Sequence, residues 1–156
     1  MVRTARDWLD AYGESHQHPV NKRIHWICVP LIVLSLVGLL WSLWVPPAVA
    51  DISPLLNWAT LFLVAAVIYY GLLSRPLALG MLAFAGLLLL ATWALDQLPA
   101  PLWFISLTIF VLAWIGQFIG HEIEGKKPSF FEDIQFLMIG PLWLLAHLYD
   151  RLSLRY

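Results

Sequence analysis

Residues 102–128 read LWFISLTIFVLAWIGQFIGHEIEGKKP, and the break inside that stretch decides the fold. Leu102 to Gly120 carry no charge, and roughly 20 apolar residues at ~1.5 Å each are what a helix needs to cross a hydrocarbon layer of ~30 Å. The chain then turns polar at His121, Glu122, Glu124, Lys126 and Lys127. A second polar knot, HQHPVNKRIH over residues 16–25, stands before the first long apolar run. The pattern predicts an all-α membrane bundle in which the two knots meet, and any chemistry belongs where they do.

Composition points to the same class. Of the 156 residues, 61% are hydrophobic and 12% charged, far from a soluble average, and the length suits one membrane domain over 1–156. A formal net charge of -1 without a basic stripe argues against a nucleic-acid partner. Cys28 is the single cysteine, which rules out an intramolecular disulfide or a Cys-based zinc site. Inside an apolar run it reads as a small packed residue. The N-terminal segment holds Arg3, Arg6, Asp7, Asp10 and Glu14; it lacks the apolar core of a cleaved signal and is expected to be retained.

Over residues 4–15, Trp8, Leu9 and Tyr12 recur at helical spacing among charges, which predicts an amphipathic helix lying on the membrane surface. Pro19 suits the first turn of the next helix and puts His18 near its N-cap. Crossings are predicted at about 24–44, 55–73, 77–95 and 102–120. Trp41, Trp44, Pro46 and Pro47 close the first, and the short Ser74-Arg75-Pro76 link makes the second and third antiparallel. The last apolar piece, 134–149, is short for a span and contains Gly140 and Pro141. It predicts a short or re-entrant segment, or a kinked helix.

Arg3, Arg6, Lys22, Arg23, Arg75, Lys126 and Lys127 fall on one side of this layout, while the loops at 45–54 and 96–101 hold no cation. Four crossings with both termini cytoplasmic satisfy that distribution and bring both knots to one face. The expected location is the inner membrane of a bacterium or the endoplasmic reticulum of a eukaryote.

Imidazoles at a membrane edge need satisfied ring nitrogens, and several of them beside carboxylates mark a functional site. His18, His25, His121, His147 and Glu124 form the candidate ligand set. Neutral imidazoles with a carboxylate and no thiolate suit iron, zinc or manganese, and an open coordination position suits non-haem iron oxygen chemistry. His18 and His25 are seven positions apart, so on one helix they would stand about 10 Å apart along the axis. Either His18 folds back off the helix, or the site is dinuclear, or His18 is not a ligand. His121 and Glu124, at i and i+3, share a helix face. Asn21, Gln117 and Glu122 are candidates to hydrogen-bond the ligands from behind. Lys22, Arg23 and Lys126 are candidates to pair with an acidic headgroup, against the plainer reading of positive-inside topology. Capping and snorkelling are the plainer reading of the histidines.

The run His18-Pro19-Val20-Asn21-Lys22-Arg23-Ile24-His25-Trp26, then Pro30, then Trp114-Ile115-Gly116-Gln117-Phe118-Ile119-Gly120-His121, Glu124 and Pro128 resembles the Mpo1-like family over nearly the whole chain. The resemblance implies an iron(II)-dependent dioxygenase of fatty acid alpha-oxidation, which cleaves a 2-hydroxy fatty acid with dioxygen to leave an acid one carbon shorter. It marks His18, His25 and His121 as catalytic and implies a 2-hydroxy fatty acid, dioxygen and membrane lipids as partners, with oligomerisation left open. Two other functions would use the same residues. One is a zinc-dependent lipid hydrolase with a metal-bound water; the other is a non-enzymatic scaffold or small transporter, against which the lack of an internal repeat speaks.

Overall fold

A computed structural model describes residues 3–129 and 135–156. Among the described residues there are seven helices and no strand. They are α1 (Ala5–Gly13), α2 (Pro19–Trp41), the single turn α3 (Pro47–Ala50), α4 (Trp58–Leu73), α5 (Arg75–Asp96), α6 (Leu102–Glu124) and α7 (Phe136–Arg151). α2, α5 and α6 are long and apolar enough to cross a membrane. α4 is as apolar but has 16 residues, about 24 Å of helix against a ~30 Å layer. Three of the four predicted crossings therefore have the full length to span. Large apolar side chains such as Leu72, Leu79, Leu90 and Leu112 point outward, as a surface solvated by lipid requires.

The most extensive helix pair is α2 with α6, and small residues make it possible. Gly38 meets Ser106, Gly116 meets Cys28, and Gly120 meets Asn21; a methyl group at Gly116 would sit 2.6 Å from Cys28 Sγ. Gly116 and Gly120 are four apart, the small-x-x-x-small spacing that lets two backbones approach closely in a bilayer. α6 continues past Gly120, so His121 and Glu124 are helical residues. It ends at Gly125, whose φ of 71° is the left-handed region that glycine enters without a Cβ clash.

The N-terminal helix corrects one expectation. α1 starts at a capping box, with the Thr4 side chain accepting from the Asp7 N–H and the Asp7 carboxylate accepting from the Thr4 N–H. It buries Trp8, Leu9 and Tyr12, but against α7 and not against lipid. Trp8 meets Phe136 edge-on at 5.4 Å, and Tyr12 lies 5.6 Å from Trp143. α7 is apolar because it is interior: Ile139, Leu142, Trp143 and Leu144 are all buried. Its helix runs through Pro141 without a re-entrant break, and position 134, its expected start, lies outside the described residues. Tyr70 Oη donates to the Met138 carbonyl at 2.8 Å and Tyr149 Oη to the Pro76 carbonyl at 3.0 Å, which ties α7 to α4 and α5.

Candidate metal centre

Between α1 and α2 a short turn lies over the ends of α2 and α6. The His16 N–H donates to the Gly13 carbonyl at 3.0 Å, so this residue hangs off the end of α1 and belongs to neither neighbouring helix. Its ring stacks on Tyr12 at 4.1 Å and 14° and lies 5.5 Å from Trp143, which leaves it fully buried. His25 faces α6 from the second turn of α2, and His121 sits in the last turn of α6; both are buried. The three rings are 4.2 Å (His16 to His25), 5.0 Å (His16 to His121) and 5.0 Å (His25 to His121) apart. One nitrogen from each lies within 4.8 Å of the others.

Hydrogen bonding fixes which nitrogens face inward. His16 Nδ1 pairs with the Tyr12 carbonyl at 2.6 Å and His25 Nδ1 with the Asn21 carbonyl at 3.0 Å. A carbonyl only accepts, so both Nδ1 atoms carry the proton and both Nε2 atoms present lone pairs. Those two Nε2 atoms face each other at 2.8 Å. Two lone pairs cannot bond to one another, and a proton shared between them is disfavoured because burial pushes His16 from its usual 6.5 down to about 4. A metal cation is the group this pair fits. His121 Nδ1, buried and without a hydrogen-bond partner among the described residues, offers a third nitrogen. Three neutral imidazoles with no thiolate suit iron or zinc.

The other expected residues are placed differently. His18 is exposed at the N-cap of α2, where its Nδ1 accepts from the Val20 N–H at 3.2 Å. Glu124 accepts from the Gln17 and His18 N–H groups, both at 2.8 Å, and from Asn21 Nδ2 at 3.1 Å. Its carboxylate clamps the turn carrying His16 to the end of α6. His147 donates from Nδ1 to the Trp143 carbonyl at 3.0 Å and packs on the Trp143 ring at 4.0 Å, outside the three-ring cluster. Asn21 is buried and links the parts, since its carbonyl orients His25 while its amide reaches Glu124. Lys126 Nζ donates to the Glu14 carbonyl at 2.7 Å, Lys22 is half-buried, and Arg23 and Glu122 are exposed.

Sequence reasoning passed over His16, although a signal for it existed. A histidine directly before Pro19 is taken up by capping, and the seven-position gap to His25 calls for a partner that lies off the helix. His16 meets that requirement.

Two spaces adjoin the cluster. A cavity of about 60 Å³ is bounded by Tyr12, His25, Trp114, Gln117 and His121 among others, several times the ~10–15 Å³ that one water needs. An outer pocket of about 560 Å³ runs past His121, Glu122, Lys126 and Lys127.

Residues 2–152 match the protein family described as 2-hydroxy-palmitic acid dioxygenase Mpo1-like. The 2-hydroxy-palmitic acid dioxygenase MPO1 of Saccharomyces cerevisiae is 30% identical over 142 residues, which cover 90% of this chain and 76% of the yeast protein. No solved structure matches.

Proposed function

The chain belongs to the Mpo1-like family, and from that premise we propose that it is an iron(II)-dependent dioxygenase that shortens a 2-hydroxy fatty acid by one carbon. The observation that carries the reading is the pair of facing Nε2 lone pairs on His16 and His25 at 2.8 Å, closed on the third side by His121. His16, His25 and His121 would hold the iron. When bound, it supplies the one-electron chemistry that dioxygen needs to react with an organic acid. In the overall reaction the C1–C2 bond breaks and C2 becomes the carboxyl carbon of the shorter acid. With carbon dioxide and water as the other products, the atoms balance against one dioxygen.

The protein's own residues prepare that chemistry. The Tyr12 and Asn21 carbonyls lock two rings in the tautomer that turns Nε2 inward. Glu124 and Asn21 hold the His16 turn against α6, and the stacked Tyr12 ring together with the tilted Trp143 ring shields His16 from water. Lys126 and Lys127 on the outer pocket raise the local concentration of an anionic headgroup. Three helices apolar and long enough to cross a membrane support a centre close to the bilayer, where a fatty acid is found. α4 completes four crossings in this reading, because Ser74 alone separates it from the spanning α5, and the charge distribution favours a cytoplasmic side for both termini and the histidine cluster.

The test is iron content of the purified protein together with dioxygen uptake on 2-hydroxy-palmitic acid and detection of the shortened acid. Loss of turnover on chelation and its return with iron(II) is the expected result. Full activity in metal-free protein overturns the reading, and turnover that continues without dioxygen replaces it with a hydrolytic one.

A further inference from the structure

Gln117 is 5% exposed and its Nε2 has no hydrogen-bond partner among the described residues. It lines the small cavity beside His25 and His121. An amide donor shut away from water is destabilising if it stays unpaired, so a polar ligand group is the expected occupant. Ile32, Val33, Trp114, Leu137 and Pro141 line that cavity and also line a second space of about 520 Å³ between α2, α4, α5, α6 and α7, so the two spaces lie on either side of the same five side chains. Past these shared residues the lining of the second space is nearly all apolar, through Tyr70 and Met81 to Ala85 and Leu88.

The geometry points to one continuous binding site for the 2-hydroxy acid, with Gln117 donating to the headgroup beside the histidines and the acyl chain lying in the apolar groove that runs to Leu88. This rests on the activity proposed above and adds what that activity leaves open: where the chain goes and what limits its length. A chain that instead left the small cavity straight into the bilayer would not sense the side chains along α5.

Two substitutions at the groove give opposite signs. Ala85→Phe fills it and Leu88→Ala lengthens it, and a general folding defect would not move selectivity in both directions. The readout is the ratio of kcat/KM for 2-hydroxy-palmitic acid to that for a shorter 2-hydroxy acid, measured in the same detergent so that partitioning cancels. Each methylene displaced is worth about fourfold, so Ala85→Phe is expected to lower the ratio by about tenfold or more, while Leu88→Ala raises it towards longer chains. Gln117→Leu is expected to raise KM for every chain length alike, with iron content and the length ratio unchanged. Unchanged ratios in both groove variants overturn the groove, and loss of iron in Gln117→Leu reassigns Gln117 to support of His121.

If the wild-type protein turns over no 2-hydroxy acid, the activity reading fails separately. A palmitic acid carrying a diazirine at its far end still tests the groove. Labelling at Ala85 or Leu88 supports it; labelling confined to outward residues such as Leu72 and Leu90 overturns it.

Discussion

His16 and His18 stand two positions apart and do different work. One is buried with its Nε2 turned to His25; the other is exposed and caps α2. His16→Ala is therefore expected to remove iron binding and activity, by more than the 10–100-fold that loss of a supporting hydrogen bond alone costs a metal site. His18→Ala should keep both and lose at most about 1 kcal/mol of stability through the cap. Iron content and thermal unfolding of the two variants check this, and iron loss on His18→Ala alone would reverse the assignment. His25 and His121 were legible from sequence because each sits where an apolar run meets a polar knot. His16 was harder to read, since helical spacing says nothing about a residue in the turn between two helices. Glu124, expected among the ligands, is found in a different setting. Its i+3 spacing from His121 is compatible with ligation, but the backbone N–H groups of Gln17 and His18 approach from far along the chain and occupy its oxygens.

At the scale of the element, the centre depends on how closely α2 and α6 approach. Gly116→Ala would put a methyl group 2.6 Å from Cys28 Sγ and force the helices apart, at about 1–3 kcal/mol. Cys28→Ala vacates that space, so the double variant should recover about 1 kcal/mol or more of the loss and regain iron binding. A double-mutant cycle of unfolding in detergent measures the coupling; strictly additive losses would mean that the two residues do not meet. α1 yields a pH prediction. The Asp7 carboxyl is held below its ordinary 3.8, first by its hydrogen bonds with Thr4. A lowered carboxyl contributes stability that is present above 3.8 and is lost as pH falls through the native value. Protection of the α1 amides from exchange, taken relative to the intrinsic rate at each pH, should therefore fall below pH ~4 in the wild type, whereas Asp7→Asn should show the lower protection already at neutral pH; identical profiles would remove the cap from the account. The helical nature of α1 was plain from the spacing of Trp8, Leu9 and Tyr12, but its partner was not. A hydrophobic face looks the same whether it meets lipid or Phe136 and Trp143.

For the molecule as a whole, hydropathy located every long helix among the described residues, because a bilayer leaves a chain little choice but to bond its backbone internally. It could not separate a lipid-facing helix from an interior one, so residues 134–149 read as a short or re-entrant segment, or a kinked helix, while the structure has a continuous helix through Pro141 whose Ile139, Leu142, Trp143 and Leu144 are buried. The remaining question at this scale is which side of the membrane holds the cluster, and Cys28 makes it tractable. As the single cysteine, it can be replaced by alanine to give a background with none. Single cysteines then placed at Asp51 and Gln97, in the two loops without cations, should react with an impermeant thiol reagent added outside intact cells. Cysteines at Arg75 and Lys127 should react only after the membrane is opened. If position 75 labels from outside together with 51, α4 does not cross and the chain has three spans. If 127 labels from outside, the orientation is inverted and the histidines open to the other compartment. Agreement at all four positions would place the proposed iron site within reach of the reducing cytoplasm, where reductants can return iron(III) to iron(II) between turnovers.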